Sequence, residues 1–233
     1  LAALAAMRAA ELTPAPKSRH RGQLREGFRY LRGRRDLLVV FFLVFVLGTF
    51  GMNFQITTAL MATRVYGKGA GEYGLLGSIM AIGSLGGALL AARSARPRLR
   101  LLFVALGAFT AATALLALAP TYLSFAILLV PTGLAALVVI TTANALVQLS
   151  AAPEMRGRVM ALYMATFMGG TPLGAPLIGW IGDTLGARWT IGAGALAVGL
   201  SLAAVCLWRL RTGSSPSACA PEAVPERPPD PAP

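Results

Sequence analysis

Two stripes of Thr, Asn and Gln side chains interrupt otherwise apolar segments of the chain. Within each stripe the residues are three or four positions apart, so a helix would place them on one face. The stripes are Thr49, Asn53 and Thr57, and Thr141, Asn144 and Gln148. Amides and hydroxyls in an apolar medium need hydrogen-bond partners. We therefore expect each stripe either to line a water-filled substrate pathway or to join neighbouring helices, and the sequence leaves both interpretations open.

Acidic and basic side chains are missing from every long apolar segment, which limits the chemistry of those segments. No Asp, Glu, Lys, Arg or His occurs in residues 37–63, 73–92, 101–153, 159–182 or 189–208. A charge at the centre of a bilayer costs at least about 2.5–3.5 kcal/mol, and the exceptions mark proton or ion relays. The sequence therefore predicts no proton-coupling residue inside these segments.

The remaining candidates for catalysis or metal binding are isolated from one another. His20 is the only histidine, and Cys206 and Cys219 lie in an apolar and a polar segment respectively. These residues form neither a metal-ligand set nor a nucleophilic triad, and there is no phosphate-binding Gly-Lys motif. We predict that the chain is not an enzyme and that it binds no metal and no cofactor.

A Gly- and Pro-rich segment with a basic start is the third candidate site. Its notable residues are Arg156, Gly157, Arg158, Gly169, Gly170, Pro172, Gly174 and Pro176. Glycine permits close helix approach and proline removes a backbone hydrogen bond, which favours a helix that bends or slides. A kinked packing helix is the alternative. The two arginines begin a helix, where the dipole disfavours cations, so they indicate either an anionic partner or ordinary loop charge.

The apolar segments that carry these residues are long enough to cross a membrane. Of the 233 residues, 56% are hydrophobic and 13% are charged, whereas soluble domains have about 25% charged residues. A membrane-spanning helix needs about 20 mostly apolar residues. Division of the longest run at Pro120 predicts an all-α membrane domain over residues 37–208. Its six spans are residues 37–63, 73–92, 101–119, 122–149, 159–182 and 189–208.

The basic residues alternate between the two sides of these spans. Of the 21 Lys and Arg, 18 flank one side, and only Arg64, Lys68 and Arg188 flank the other. The positive-inside rule then predicts a protein of the cell membrane with both ends of the chain in the cytoplasm. The net charge of +12 follows from this loop bias. Because the basic residues form no polar face with interleaved aromatics, we predict no nucleic-acid partner.

Three further segments complete the predicted organisation. Residues 1–7 resemble the last turns of a preceding membrane helix, so we expect a sequence that is truncated at its start. Residues 8–36 form a basic linker, and within it residues 22–34 have the spacing of a short amphipathic helix that lies on lipid headgroups or in solvent. Residues 209–233 are rich in Pro, Ser and Ala and are predicted to be disordered.

A weak internal similarity relates the second and fifth spans. A shift of 83 positions superimposes three glycines of one on three of the other, Gly74, Gly86 and Gly87 on Gly157, Gly169 and Gly170. The first and fourth spans begin on opposite sides of the membrane. We therefore expect two three-helix units in an inverted repeat, as in secondary transporters.

A basic linker, six spans and a P-x-x-R-G-R loop before a Gly/Pro-rich span together resemble the C-terminal half of a major facilitator transporter. The loop begins at Pro153, and the resemblance covers residues 22–210. The stretch 153–160 is most similar to bacterial exporters of the enterobactin-exporter and macrolide-efflux type. A second pattern, G-x-x-x-D-x-x-G-x-R at Gly179, Asp183, Gly186 and Arg188, resembles a loop motif of this superfamily. It falls on the outer side here, so we interpret it as a helix-end and turn feature.

This resemblance implies helices 7 to 12 of a transporter whose two halves rock against each other. The Gly/Pro run is similar to the antiporter motif in the corresponding helix of the other half, and the first and fourth spans would line the central cavity. The expected function is proton-coupled efflux of a small, largely apolar compound such as a drug or siderophore. The expected partners are the lipid bilayer, that substrate and an N-terminal six-helix half. A non-transporting membrane sensor or scaffold is the alternative.

Overall fold

A computed structural model describes residues 23–93 and 98–212, with side chains from residue 27 onward. The predicted end of a preceding helix at residues 1–7 and most of the predicted disordered tail lie outside the described residues. Within the described ranges all regular structure is helical. The helices are α1 Gln23–Arg32, α2 Arg35–Val46, α3 Phe54–Leu60, α4 Ala70–Arg93, α5 Leu99–Ala117, α6 Tyr122–Ser150, α7 Arg156–Thr184 and α8 Ala187–Arg211.

Five helical segments are long and apolar enough to cross a membrane. They are Arg35–Val65, which contains α2 and α3, together with α4, α5, α6 and α8. The chain is therefore an all-helical, multi-pass membrane protein. Helix α7 covers the predicted fifth span and has 29 residues, but it is not among the five, because glycines, prolines and threonines dilute its apolar side chains.

The first membrane segment is not one regular helix. Two π-helical segments, Leu47–Gly51 and Met61–Val65, follow α2 and α3, and the helix is interrupted at residues 52–53. The Asn53 amide donates to the Thr49 carbonyl at 2.7 Å. A side chain that bonds to the backbone one turn earlier competes with the regular helical ladder. Hydropathy predicts a continuous span here because it does not register this competition.

Contacts between helix ends show that the loops alternate between two ends of the bundle. At one end, which we call the α1 end, Arg34 Nη1 donates to the Ser150 carbonyl at 2.9 Å. At the opposite end, which we call the far end, the Tyr66 hydroxyl donates to the Ala119 carbonyl at 2.9 Å. A buried apolar cluster lies toward each end, one including Leu43 and the other including Phe125.

An ion pair between a buried arginine and a half-exposed aspartate joins the first and last membrane helices at the α1 end. The Arg209 guanidinium donates to Asp36 Oδ1, and its side chain is only 9% exposed, compared with 47% for Asp36. The same guanidinium lies 5.6 Å from the centre of the Phe103 ring, at cation–π range. Three helices, α2, α5 and α8, therefore meet around one arginine.

The far end is joined by residues of the G-x-x-x-D-x-x-G-x-R pattern. Asp183 accepts from Arg64 Nη1 at 2.8 Å in an exposed ion pair, and Arg188 Nη1 donates to the Ala117 carbonyl at 3.3 Å. Gly186 has φ of +98°, a conformation that glycine adopts without steric cost. The pattern thus has the helix-end and turn geometry that we expected from its position.

Removal of the carboxylate that pairs with the buried Arg209 will destabilise the bundle more than removal of the carboxylate in the exposed pair. Asp36→Asn leaves the Arg209 guanidinium without its charged partner and should cost about 1–2 kcal/mol. Asp183→Asn is the matched control, and because both partners are exposed its cost should stay below about 1 kcal/mol. Thermal unfolding of the two variants in the same detergent measures the difference. Equal destabilisation by both changes would contradict this account of the α1 end.

Candidate functional site

The first polar stripe lies inside the helical bundle. Thr49, Asn53 and Thr57 are 4–5% exposed. The Thr49 hydroxyl donates to the Phe45 carbonyl at 2.8 Å, and the Thr57 hydroxyl donates to the Asn53 carbonyl at 3.2 Å. Each of these donors is thus satisfied by the backbone of its own helix. This geometry favours the interpretation in which the first stripe packs between helices.

Asn53 nevertheless retains one unused acceptor. Its amide nitrogen is bonded to Thr49, but its Oδ1 is buried and has no hydrogen-bond partner among the described residues. Asn53 and Thr57 line a cavity of about 10 Å³ together with Thr113 of α5 and Thr190 of α8. A cavity of this size holds about one water molecule. The arrangement can exchange hydrogen bonds, but it is too small to hold an organic substrate.

The second polar stripe lies at an accessible surface near the α1 end. Gln148 is exposed and Asn144 is half-buried, and Gln148 Nε2 donates to Asn144 Oδ1 at 2.9 Å. Thr141 lines an open cleft of about 350 Å³ between α4, α5 and α6, which is otherwise bordered mainly by small and apolar side chains such as Ala88 and Leu101. This stripe is therefore the one whose amides are available to water or to a small molecule.

The two stripes do not converge on a common site. The hydrogen bonds found for their members remain within one helix or one stripe. The first stripe contacts α5, α7 and α8, whereas the second borders the cleft beside α4 and α5. The first stripe therefore lies between helices inside the bundle, and the second lies beside a separate cleft.

Helix α7 packs against the interrupted part of the first span through glycine. A Cβ at Gly170 would lie 2.7 Å from Thr49 Oγ1, and a Cβ at Gly174 would collide with the Thr49 backbone. The Thr171 hydroxyl donates to the Gly48 carbonyl at 3.4 Å. Two of the predicted glycines of α7 thus permit direct backbone contact with the segment that carries the first stripe.

The opposite side of α7 is open. Gly169, Pro172 and Pro176 are exposed, and no atom lies within 4 Å of the Cβ position of Gly169. Both prolines lie inside the helix, which continues to Thr184. Each proline removes one backbone hydrogen bond, so the middle of α7 is held less firmly than a regular helix.

The basic start of α7 lies beside α1. Arg156 and Gly157 are exposed, and Arg158 is half-buried with its Nη1 at 3.4 Å from the sulfur of Met155. A Cβ at Gly27 of α1 would lie 2.8 Å from Leu162 Cδ1. The amphipathic helix of the linker is therefore docked on α7 rather than lying apart in solvent or on headgroups alone.

A second glycine contact joins α4 and α6, and its glycines were not among the predicted site residues. A Cβ at Gly87 would lie 2.5 Å from the Leu134 carbonyl oxygen, and a Cβ at Gly133 would lie equally close to the Met80 carbonyl oxygen. Gly83 approaches the Val130 backbone in the same way. The G-x-x-x-G spacing of Gly83 and Gly87 is the sequence signal that indicates this contact.

The described helices have the length and apolar composition of a multi-pass membrane protein. A family model described as a transmembrane secretion effector matches residues 1–229, so the chain belongs to this transporter family of the major facilitator superfamily. Comparison with curated proteins found no match, and comparison with solved structures found none either.

The tight glycine contact of α7 predicts a sharp difference between two alanine substitutions in the same helix. Gly174→Ala forces a methyl group into the Thr49 backbone and should cost about 1–3 kcal/mol. Gly179 has no atom of this chain within 4 Å of its Cβ position, so in this chain by itself Gly179→Ala should be neutral or stabilising by up to about 1 kcal/mol. Thermal unfolding and yield in detergent measure both effects. Equal tolerance of the two changes would mean that α7 does not approach Thr49 this closely.

Proposed function

We propose that this chain forms one six-helix half of a secondary transporter that exports small, largely apolar compounds by proton-coupled antiport. In this proposal α7 is the fifth of six spans, residues 37–208 form the half-domain, and both ends of the chain are cytoplasmic. The export direction is supported by the secretion function in the description of the matched family. The asymmetric charge of the loops supports the orientation.

The observation that carries the proposal is a set of helical glycines that have no neighbour in this chain at their Cβ positions. A Cβ added at Gly71, Gly74 or Gly77 of α4, or at Gly157, Gly169 or Gly179 of α7, would meet no atom within 4 Å. A glycine inside a helix costs about 1 kcal/mol relative to alanine. The cost is offset where another helix approaches the backbone closely. We infer that these faces of α4 and α7 meet a second six-helix unit.

The pairing of helices supports an inverted repeat. The second span, α4, packs by glycine on the fourth, α6, and the fifth span, α7, packs by glycine on the first. In such a repeat the second span corresponds to the fifth and the fourth corresponds to the first. The contact between the second and fourth spans therefore corresponds to the contact between the fifth and first. The shift of 83 positions that relates the two spans also superimposes Gly87 on Gly170, and both are contact glycines.

The transport step in this proposal is a rocking of the two six-helix units about a central pathway. The accessible amides Asn144 and Gln148 lie on the wall of that pathway, whereas Thr49, Asn53 and Thr57 support the helix behind it. Because the spans contain no Asp, Glu, Lys, Arg or His, the proton-coupling carboxylate belongs to the second unit. The glycines and prolines of α7 let it slide against the first span as the units rock.

Transport by this protein is tested in cells that express the gene encoding this chain. We expect such cells to extrude an apolar fluorescent dye faster than cells without the gene. A protonophore should abolish the difference, because the motive force is the proton gradient. A non-transporting sensor or scaffold, which is the alternative, would leave dye extrusion unchanged across a panel of chemically different dyes.

The exposed Arg156 is proposed to pair with a carboxylate of the second unit and to close the pathway at the α1 end. The first backbone N–H groups of a helix have no partner within the helix itself, and together with this guanidinium they suit an anion. Arg158 is directed toward Met155 and would add a second positive charge near the same carboxylate. A partly exposed contact of this kind contributes about 1–3 kcal/mol, enough to change the ratio of the two transporter states about tenfold.

Loss of the Arg156 contact should therefore open the α1 end. In the complete transporter, Arg156→Ala should increase the labelling of Gln148→Cys by a thiol reagent and lower transport, without loss of expression. Arg100→Ala, at an exposed position on the same end of the bundle, is the matched control and should change neither quantity. Unchanged labelling and transport in Arg156→Ala, Arg158→Ala and the double variant would assign these residues to ordinary loop charge.

A further inference from the structure

An apolar groove with a cation at one end lies between α2 and α8. It has a volume of about 370 Å³ and is bordered by Leu38 and Phe42 on one side and by Ala204 and Trp208 on the other, with Arg35 at its end. The side chains of Leu38, Phe42 and Trp208 are 39–49% exposed. From Arg35 to Phe42 the groove follows seven residues of helix, or about 10 Å. It thus extends from the membrane surface into one leaflet of a hydrocarbon core about 30 Å thick.

The charges around the groove leave a net positive end. Arg209 and Asp36 neutralise each other in their ion pair. Arg35 and Arg211 are exposed, and neither has a carboxylate partner among the described residues. Arg211 follows Trp208 by three residues, so it projects from the same face of α8.

The order of these groups along the groove matches an anionic phospholipid. Arg35 lies at the membrane surface, the Trp208 indole follows, and the apolar part of the groove lies deeper in the membrane. A phospholipid has the matching order, with an anionic headgroup at the surface and acyl chains below it. Tryptophan is enriched at this level of the bilayer, and basic pockets between membrane helices bind anionic headgroups. We propose that the α2–α8 groove is a binding site for an anionic phospholipid, with Arg35 contacting the phosphate and Phe42 and Ala204 contacting one acyl chain.

The site can be tested by quenching of Trp208 fluorescence in vesicles. Trp180 and Trp189 lie at the far end and are replaced by Phe, so that Trp208 is the only reporter. The chain is reconstituted in phosphatidylcholine vesicles that contain the same fraction of either dibrominated phosphatidylglycerol or dibrominated phosphatidylcholine. One arginine near the surface should favour the anionic lipid about fivefold in relative binding constant. The preference should weaken as salt is added, because salt screens the contact.

Matched variants separate a specific site from general surface charge. Arg35→Gln should bring the relative binding constant clearly closer to one, with Arg211 as the remaining cation, whereas Arg35→Lys, which keeps the charge, and Arg100→Gln, which lies outside the groove, should preserve it. Ala204→Phe fills the apolar part of the groove and should reduce quenching by both lipids. The proposal is overturned by equal quenching by the two lipids in the starting protein, by equal effects of Arg35→Gln and Arg100→Gln, or by the absence of quenching, which would mean that protein covers the groove.

Discussion

Close approach of helix backbones at glycine is the constraint on which the bundle depends. In a bilayer, apolar side chains gain little by leaving lipid for protein, so helices associate through packing and hydrogen bonds. The α4–α6 contact relies on Gly87 and Gly133, and the α7 contact with the first span relies on Gly170 and Gly174. Any side chain at these positions would separate the helices, and the polar stripe on the first span would lose the surface that buries it.

The same medium explains why the polar side chains of the spans bond locally. Each unpaired polar group in hydrocarbon costs several kcal/mol, and the nearest acceptor for a hydroxyl on a helix is the carbonyl one turn earlier. Thr49, Thr113 and Thr132 all donate to that carbonyl, at 2.6–2.8 Å. Asn53 does the same with its amide nitrogen, and there the ladder is interrupted. The same kind of side-chain bond thus leaves the helix regular at Thr113 and Thr132 but coincides with an interruption of the helix at Asn53.

Hydropathy and spacing could predict the helices and their order because both depend on local composition. The predicted span 73–92 became α4, Ala70–Arg93. The added residues include the charged Glu72 and Arg93, and a charge ends an apolar segment in the sequence without ending the helix. The interruption at Asn53 and the docking of Gly27 on Leu162 could not be predicted. The first is a choice between two hydrogen bonds of similar strength, and the second depends on a contact more than a hundred residues distant.

The candidate site was predicted in part for the same reason. Residue type and spacing identified both polar stripes, but they could not distinguish a stripe that faces a helix from one that faces a cleft, because the two have identical sequence signatures. The two stripes differ in the residues of the neighbouring helices that face them. Gly170 and Gly174 bring a backbone against Thr49, whereas small side chains such as Ala88 leave space in front of Thr141. Small residues thus have opposite effects around the two stripes. Beside the first stripe they allow a second backbone to approach and bury the polar side chains, whereas beside the second they leave a cleft that is open to solutes.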